Sequence, residues 1–221
     1  MSARRGVESA ADGAGEAARG RKRTGRRPGV TLSRQAILHA AQSRFAEHGY
    51  GGASIRGIAQ DAGVDAALVH HFFLSKEGLF TASIHDALHP KELVEAVLGT
   101  KGVRGTGERL LRAFLALWEG EETSRQMLSI LRSAVTHEAA ARMLRQFVTE
   151  EVLVPVAVAT GGTHARVRAS LAAAQLVGLA LTRYIVAIEP VASMSEDELV
   201  ASVAPTLQRY LTGALPAPYD D

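Results

Sequence analysis

The chain has no cysteine. That excludes a disulfide framework, thiolate metal sites and a cysteine nucleophile, and it fits a reducing compartment. Aromatic residues are scarce, 5% with one tryptophan, while Ala, Leu and Val dominate a hydrophobic content of 47%. With few alternating β-branched runs, this composition favours helices over sheets. Long apolar runs are missing too. The longest uncharged stretches, 152–165 and 169–182, have 14 residues each, and the first contains Pro155, Gly161 and Gly162. Both fall short of the ~20 residues of a membrane span. Residues 1–30 lack the central apolar run of a secretory signal. A soluble, cytoplasmic protein without a membrane partner is expected, and 221 residues suffice for a sizeable core.

What the chain does have is an uneven charge distribution. The net charge of +2 conceals nine Lys/Arg against three acidic residues in 1–34, a local +6, and a net −4 over the remainder. The dense part is RGRKRTGRR at 19–27, with Arg21, Lys22, Arg23, Arg26 and Arg27. A basic arm on a mildly acidic body points to a polyanionic partner reached by the arm, and those five cations are candidate DNA contacts. Residues 1–30 lack apolar periodicity and read as a disordered arm.

The helical signals begin after it. Ser33 is a candidate N-cap, with Leu32 and Ile37 placed as a hydrophobic staple. Ile37, Ala40, Ala41, Phe45 and His48 keep helical spacing, and Gly49 should stop the helix. Ser54 caps a second helix to about Asp61, Gly63 makes a turn, Asp65 caps a third to about Phe73, and Ser75 caps a fourth towards His89. Further helices are predicted near 91–98, 107–119, 122–136, 138–159, 163–188 and 196–212. The fold class is all-α, divided into an arm at 1–30, a head at 31–80 and a larger helical body at 81–221.

Two short helices meeting at a glycine form the unit that sets a helix in the DNA major groove. Ala59 is the small contact residue and Gly63, four residues later, tolerates positive φ. Ile58, Ala62, Val64, Val69 and Phe72 fall where both helices turn into one apolar wedge. The span 33–80 resembles the N-terminal domain of the TetR (tetracycline repressor) family of transcriptional regulators. The matching residues are Ile37, Ala40, Ala41, Phe45, Gly49, Tyr50, Ile58, Ala59, Gly63, Val64, Phe73, Ser75, Lys76, Glu77 and Leu79. The resemblance covers about a fifth of the chain. It implies a homodimer on a palindromic operator, with C-terminal helices holding a small-molecule effector that releases DNA. Three residues depart from the family pattern: His70 replaces the usual Tyr, Asp65 the usual Ser/Thr cap, and Leu74 stands where Gly or a polar residue is usual.

On this reading the third helix presents Ala66, Ala67, Leu68 and His71 near base edges. Its apolar residues suit thymine methyls rather than bidentate purine contacts. Arg56 is the candidate for a guanine or a phosphate. Ser54, His70 and Lys76 are candidate phosphate contacts, Lys76 at the N-terminus of the fourth helix. Residues 35–80 carry only three basic and four acidic residues, so non-specific attraction must come from the arm.

In the body, Val167, Leu171, Ala174, Gly178, Leu181, Ile185 and Ile188 repeat at four and three residues. With Leu199, Val203, Leu207 and Tyr210 they suggest a dimer interface built from the helices near 163–188 and 196–212. Phe114, Trp118, Met127, Leu131, Met143 and Phe147 are candidate ligand-binding residues, with Arg112, His137 or Gln175 supplying polarity. Ordinary core packing accounts for the same aromatic and Met positions.

Enzymatic readings fail on the residues. His85 and His89 lack a third metal ligand, and Ala141 stands where His137-Glu138 would need its second histidine. Glu108 replaces the lysine after Gly102 and Gly107 in a phosphate-loop spacing. No cofactor is expected, and the chain does not read as an enzyme. The alternative to a regulator is a helical ligand-binding or protein-interaction module without specific DNA readout.

Overall fold

The computed structural model describes residues 28–99 and 102–216, with no strand among them. The arm cations Arg21, Lys22, Arg23, Arg26 and Arg27 lie outside the described residues. The head is built from α1 (Pro28–Gly52), α2 (Ile55–Asp61), α3 (Ala66–Phe73) and α4 (Lys76–Leu88). The body follows as α5 (Pro90–Leu98), α6 (Thr106–Glu119), α7 (Glu121–Thr136), α8 (Glu138–Gln146), α9 (Val154–Ala159), α10 (Ala165–Ala180) and α11 (Glu196–Thr212).

α1 starts at Pro28, five residues before the expected cap, so Ser33 lies inside a helix. Proline suits a first helical turn, where its missing N–H leaves nothing unpaired. Leu32 is 68% exposed, so the staple with Ile37 does not form. Gly49, at φ 67° and ψ 176°, breaks the helical path as expected, but helical turns resume to Gly52. Three caps stand where expected: Ser54 accepts from the Gly57 N–H at 3.1 Å, Asp65 from Ala67 at 2.7 Å and Ser75 from Gly78 at 3.0 Å. α4 runs unbroken across residue 80 and therefore belongs to head and body alike.

The head closes on an aromatic cluster. Phe80 meets Phe45 edge-on at 4.9 Å and Tyr50 at 5.1 Å, all three buried with Ile37, Ile58 and Leu79. In the body, α6 crosses α11 so closely that a Cβ on Gly107 would lie 2.5 Å from the Gln208 backbone nitrogen. Gly107 therefore serves helix packing, and its N–H donates to the Gln208 side chain at 2.9 Å.

Two helices expected as continuous α-rods contain wider turns. Residues 147–153 and 181–185 are π-helical, joining α8 to α9 and extending α10. Pro155 explains the first, since it has no N–H to return to the carbonyl four residues back, and the loosened turn precedes it directly. Three arginines close loops by donating to carbonyls. Arg109 holds Val97, Leu98, Gly102 and Arg104; Arg168, buried, holds Thr163, Tyr210 and Gly213; Arg183 holds Val191, Ala192 and Met194.

Candidate nucleic-acid interface and ligand cavity

The α2–turn–α3 unit follows from its sequence in detail. Gly63, at φ 65°, ends α2; its N–H returns to Gln60 at 3.1 Å and that of Val64 to Ala59 at 2.9 Å. This paired closure consumes the last carbonyls of α2 and needs a residue without Cβ strain at Gly63. Ile58, Ala59, Val69 and Phe73 are buried, with Ala62, Val64 and Phe72 packed against them. The unit is fixed to α1 by Arg44, whose Nη2 donates to Asp61 at 2.9 Å while its Nε bonds the other carboxylate oxygen.

That packing sorts the predicted contact residues. Ser54, Arg56, Ala67, His70 and His71 are exposed. Ala66 and Leu68 are half-buried and packed on the core, so the open face of α3 is narrower than the sequence suggests. Leu74, just past the end of α3, is also 82% exposed. Lys76 is half-buried and engaged with its own head: its Nζ lies 4.6 Å from the Tyr50 ring centre and 3.4 Å from the Gly51 carbonyl. Burial there pushes its ammonium below the usual lysine range, partly countered by Glu77. His70 Nδ1 lies 3.2 Å from the Leu74 carbonyl. A carbonyl only accepts, so Nδ1 carries the proton and Nε2 is left for an external partner.

The head meets the body through α1 and α4. The Tyr50 N–H donates to the Ser133 hydroxyl at 2.9 Å, and the Ser129 hydroxyl donates to the Phe45 carbonyl, both bonds reaching α7. His85, on α4, places Nε2 2.8 Å from Glu151 and its ring 5.8 Å from Phe147, both in the first π turn. Nothing local in the sequence announces these contacts. Among the described residues no cluster of three His, Cys, Asp or Glu is arranged for a metal, and no helix is long and apolar enough to cross a membrane.

An apolar cavity of about 100 Å³ lies in the body, its wall running from Leu88 at the end of α4 through α5, α6, α7, α8, the first π turn and α10. Phe114, Trp118, Met127, Leu131 and Phe147 line it, as expected from the sequence. Met143 does not; it packs against the neighbouring core. None of the proposed polar partners lines it. Arg112 is held outside by Glu196 at 2.6 Å, Asp197 at 3.0 Å and Glu108 at 3.1 Å, which raise its already high pKa. His137 meets Tyr50 edge-on, and Gln175 lines a separate groove between α10 and α11. Both π turns adjoin the cavity: Phe147 and Leu153 of the first form part of the wall, and Tyr184 of the second stacks on Trp118 at 4.8 Å.

An all-helical chain with a helix-turn-helix head and a hollow helical body defines a class of DNA-binding regulators. Residues 37–82 match the family described as bacterial regulatory proteins, tetR family, and residues 105–211 the tetracyclin repressor-like C-terminal domain. A TetR-family regulator structure from Streptomyces coelicolor A3 is 38% identical, covers 85% of this chain and 98% of that one, and gives a TM-score of 0.60. The chain belongs to the TetR family. The structure of a SmeT–triclosan complex shares the fold at 20% identity, covering 86% of this chain and 99% of that one with a TM-score of 0.57. The transcriptional repressor AcnR of Corynebacterium glutamicum is 43% identical over 65 residues, 29% of this chain and 35% of that protein. The chain thus matches about a third of the length of that relative.

Proposed function

We propose that this protein is a homodimeric transcriptional repressor that binds a palindromic operator and leaves it when a small molecule enters the body cavity. The observation that carries the reading is the open face of α3, presenting Ala67, His70, His71 and Leu74 beside Arg56 while the opposite face is locked into the head core. Ala67 suits a thymine methyl, and Arg56 a guanine edge or a phosphate. His70 would meet a phosphate through Nε2. The basic arm supplies attraction that the nearly uncharged head lacks.

The dimer reading is supported by α10. Leu181, Ile185 and Ile188 stay exposed, and Leu171, Ala174 and Gly178 line a groove with Val203 and Tyr210 of α11. An outward apolar stripe on a soluble chain calls for a partner, and a second copy makes the contact isologous. The contribution of α11 is narrower than the sequence suggests, because Leu199 and Leu207 are fully buried in their own protomer.

Selection of binding sites from random duplexes tests the reading. Enrichment of an inverted repeat supports it; recovery of random sequence favours a ligand-binding or protein-interaction module instead. Light scattering showing a monomer at micromolar concentration removes the dimer.

A further inference from the structure

We propose that the body cavity takes a compact, uncharged hydrocarbon about the size of one ring, held by shape and apolar contact with no hydrogen bond to the wall. This rests on reading the cavity as the effector site and adds the chemical class of the ligand.

The first argument is what the wall lacks. Ligand pockets are mostly apolar, but a few polar groups in them ordinarily fix the guest. Here every lining side chain is aliphatic, aromatic or Met, and almost no polar surface faces the space. Trp118, the one wall side chain with a nitrogen, keeps its Nε1 buried in the protein with essentially no surface open to a guest.

The second is charge. The ionisable groups of the surrounding elements are engaged away from the cavity: Arg112 with three carboxylates, His85 with Glu151 and Arg183 with three carbonyls. A charge or a hydroxyl brought inside would give up its hydration and find no partner. A hydrocarbon loses no such hydration and supplies contacts that an empty space denies its lining.

The third is size. A dry cavity of about 150 Å³ lined by Leu, Ile and Phe holds benzene. The space here, about 100 Å³, has the same kind of lining and is somewhat smaller. Met127, half-buried on α7, is the wall residue whose flexible thioether chain can yield the difference.

Toluene, phenol and benzoate separate the arguments. The first two have nearly the same shape, a methyl standing against a hydroxyl, and the third adds a charge. Binding is followed on full-length protein with ¹³C-labelled Met methyl groups. Among the described methionines, Met127 lines the cavity and Met194 the groove between α10 and α11. The ring current of bound toluene should move the Met127 methyl resonance and leave that of Met194 in place. Phenol should need a concentration roughly ten- to a hundredfold higher for the same displacement, and benzoate should produce none. Ala173→Leu puts a larger side chain on the wall and should abolish the toluene response; if that variant does not fold, the wild-type ranking decides.

Phenol binding as tightly as toluene, a benzoate response at Met127, or a Met127 resonance unmoved by toluene overturns the proposal. So does a shift at Met194 alone, which would seat the guest in the groove, or a folded Ala173→Leu protein that still binds. Operator release is measured separately. Toluene that binds as described without dissociating the operator complex sinks the effector reading and leaves the cavity chemistry standing.

Discussion

The Tyr50 backbone N–H and the Ser133 hydroxyl, 2.9 Å apart, join the end of the first helix to the middle of the body. Ser133 is 2% exposed, so no water replaces it. The same helix, α7, also contributes Met127, Ile130 and Leu131 to the cavity wall. One helix thus touches both the cavity and the head.

Ser133→Ala strands the Tyr50 donor without an acceptor. The expected loss of stability is about 1–3 kcal/mol, seen as a lower unfolding midpoint in urea. The variant should also respond less to a cavity ligand, since one of the two α7 bonds to the head is gone. Operator affinity measured with and without ligand checks this; an undiminished ratio would show that α7 does not couple the two.

Acid should loosen the bond between α1 and α2. The Arg44 guanidinium holds the Asp61 carboxyl below its ordinary value of 3.8, chiefly through their hydrogen bond. A group whose folded pKa is depressed contributes stability above its unfolded pKa and loses it as pH falls through the folded value. The contribution is therefore complete at neutral pH, begins to fade near pH 4 and is lost only once pH has fallen through the lowered folded value. Asp61→Asn should lower the melting temperature at pH 7, and the gap from wild type should narrow in melts taken towards pH 2.5. A gap that stays constant over that range contradicts the assignment.

Leu74 is a strained residue in an exposed place. Its φ is 64° and ψ −44°, and the Ser75 N–H closes on the Phe73 carbonyl at 2.7 Å, forming a γ-turn of the rarer positive-φ kind. A leucine in that conformation costs on the order of 1–3 kcal/mol. Leu74→Gly should raise the melting temperature by a few degrees, part of the relief being offset by glycine's greater freedom when unfolded. It should also weaken operator binding if this exposed side chain at the end of α3 meets the duplex, as proposed. A variant that melts lower than wild type would show that the turn is unstrained.

Removing residues 1–27 tests the arm. Each cation that displaces a counterion from a phosphate steepens the dependence of affinity on salt by roughly 0.9 in the log–log slope. If Arg21, Lys22, Arg23, Arg26 and Arg27 of both arms of the proposed dimer each hold one phosphate, truncation should flatten the slope by roughly nine. A truncated protein with an unchanged slope leaves the arm without a role in binding.

How much of this was legible in the sequence depends on the range of the interaction. Ser54, Asp65, Ser75 and Gly63 stand where expected because a cap or a tight turn is closed by residues two to five positions away. Five of six cavity residues were found because large side chains at helical spacing must be internal, and Met143 shows that the rule does not say which internal space. Arg109, Arg168 and Arg183 gave no signal, since their carbonyl partners are chosen by how loops come together. The π turns were also hidden: over five to seven residues their spacing differs too little from an ordinary helix, although Pro155 marks the place of one. The start of α1 was misplaced because Thr31 and Leu32 are exposed and carry no apolar periodicity into the core.

The unbroken run of α4 across head and body has a mechanical consequence. Its thirteen residues form a rod about 20 Å long, with Leu88 on the cavity wall and Lys76 against Tyr50 at the other end. A tilt of about 5° driven from the Leu88 end carries the far end through nearly 2 Å, about half a base-pair rise. If the cavity takes a guest as proposed, one only slightly too large for its space would put α3 out of step with a duplex, α4 carrying the displacement along its whole length.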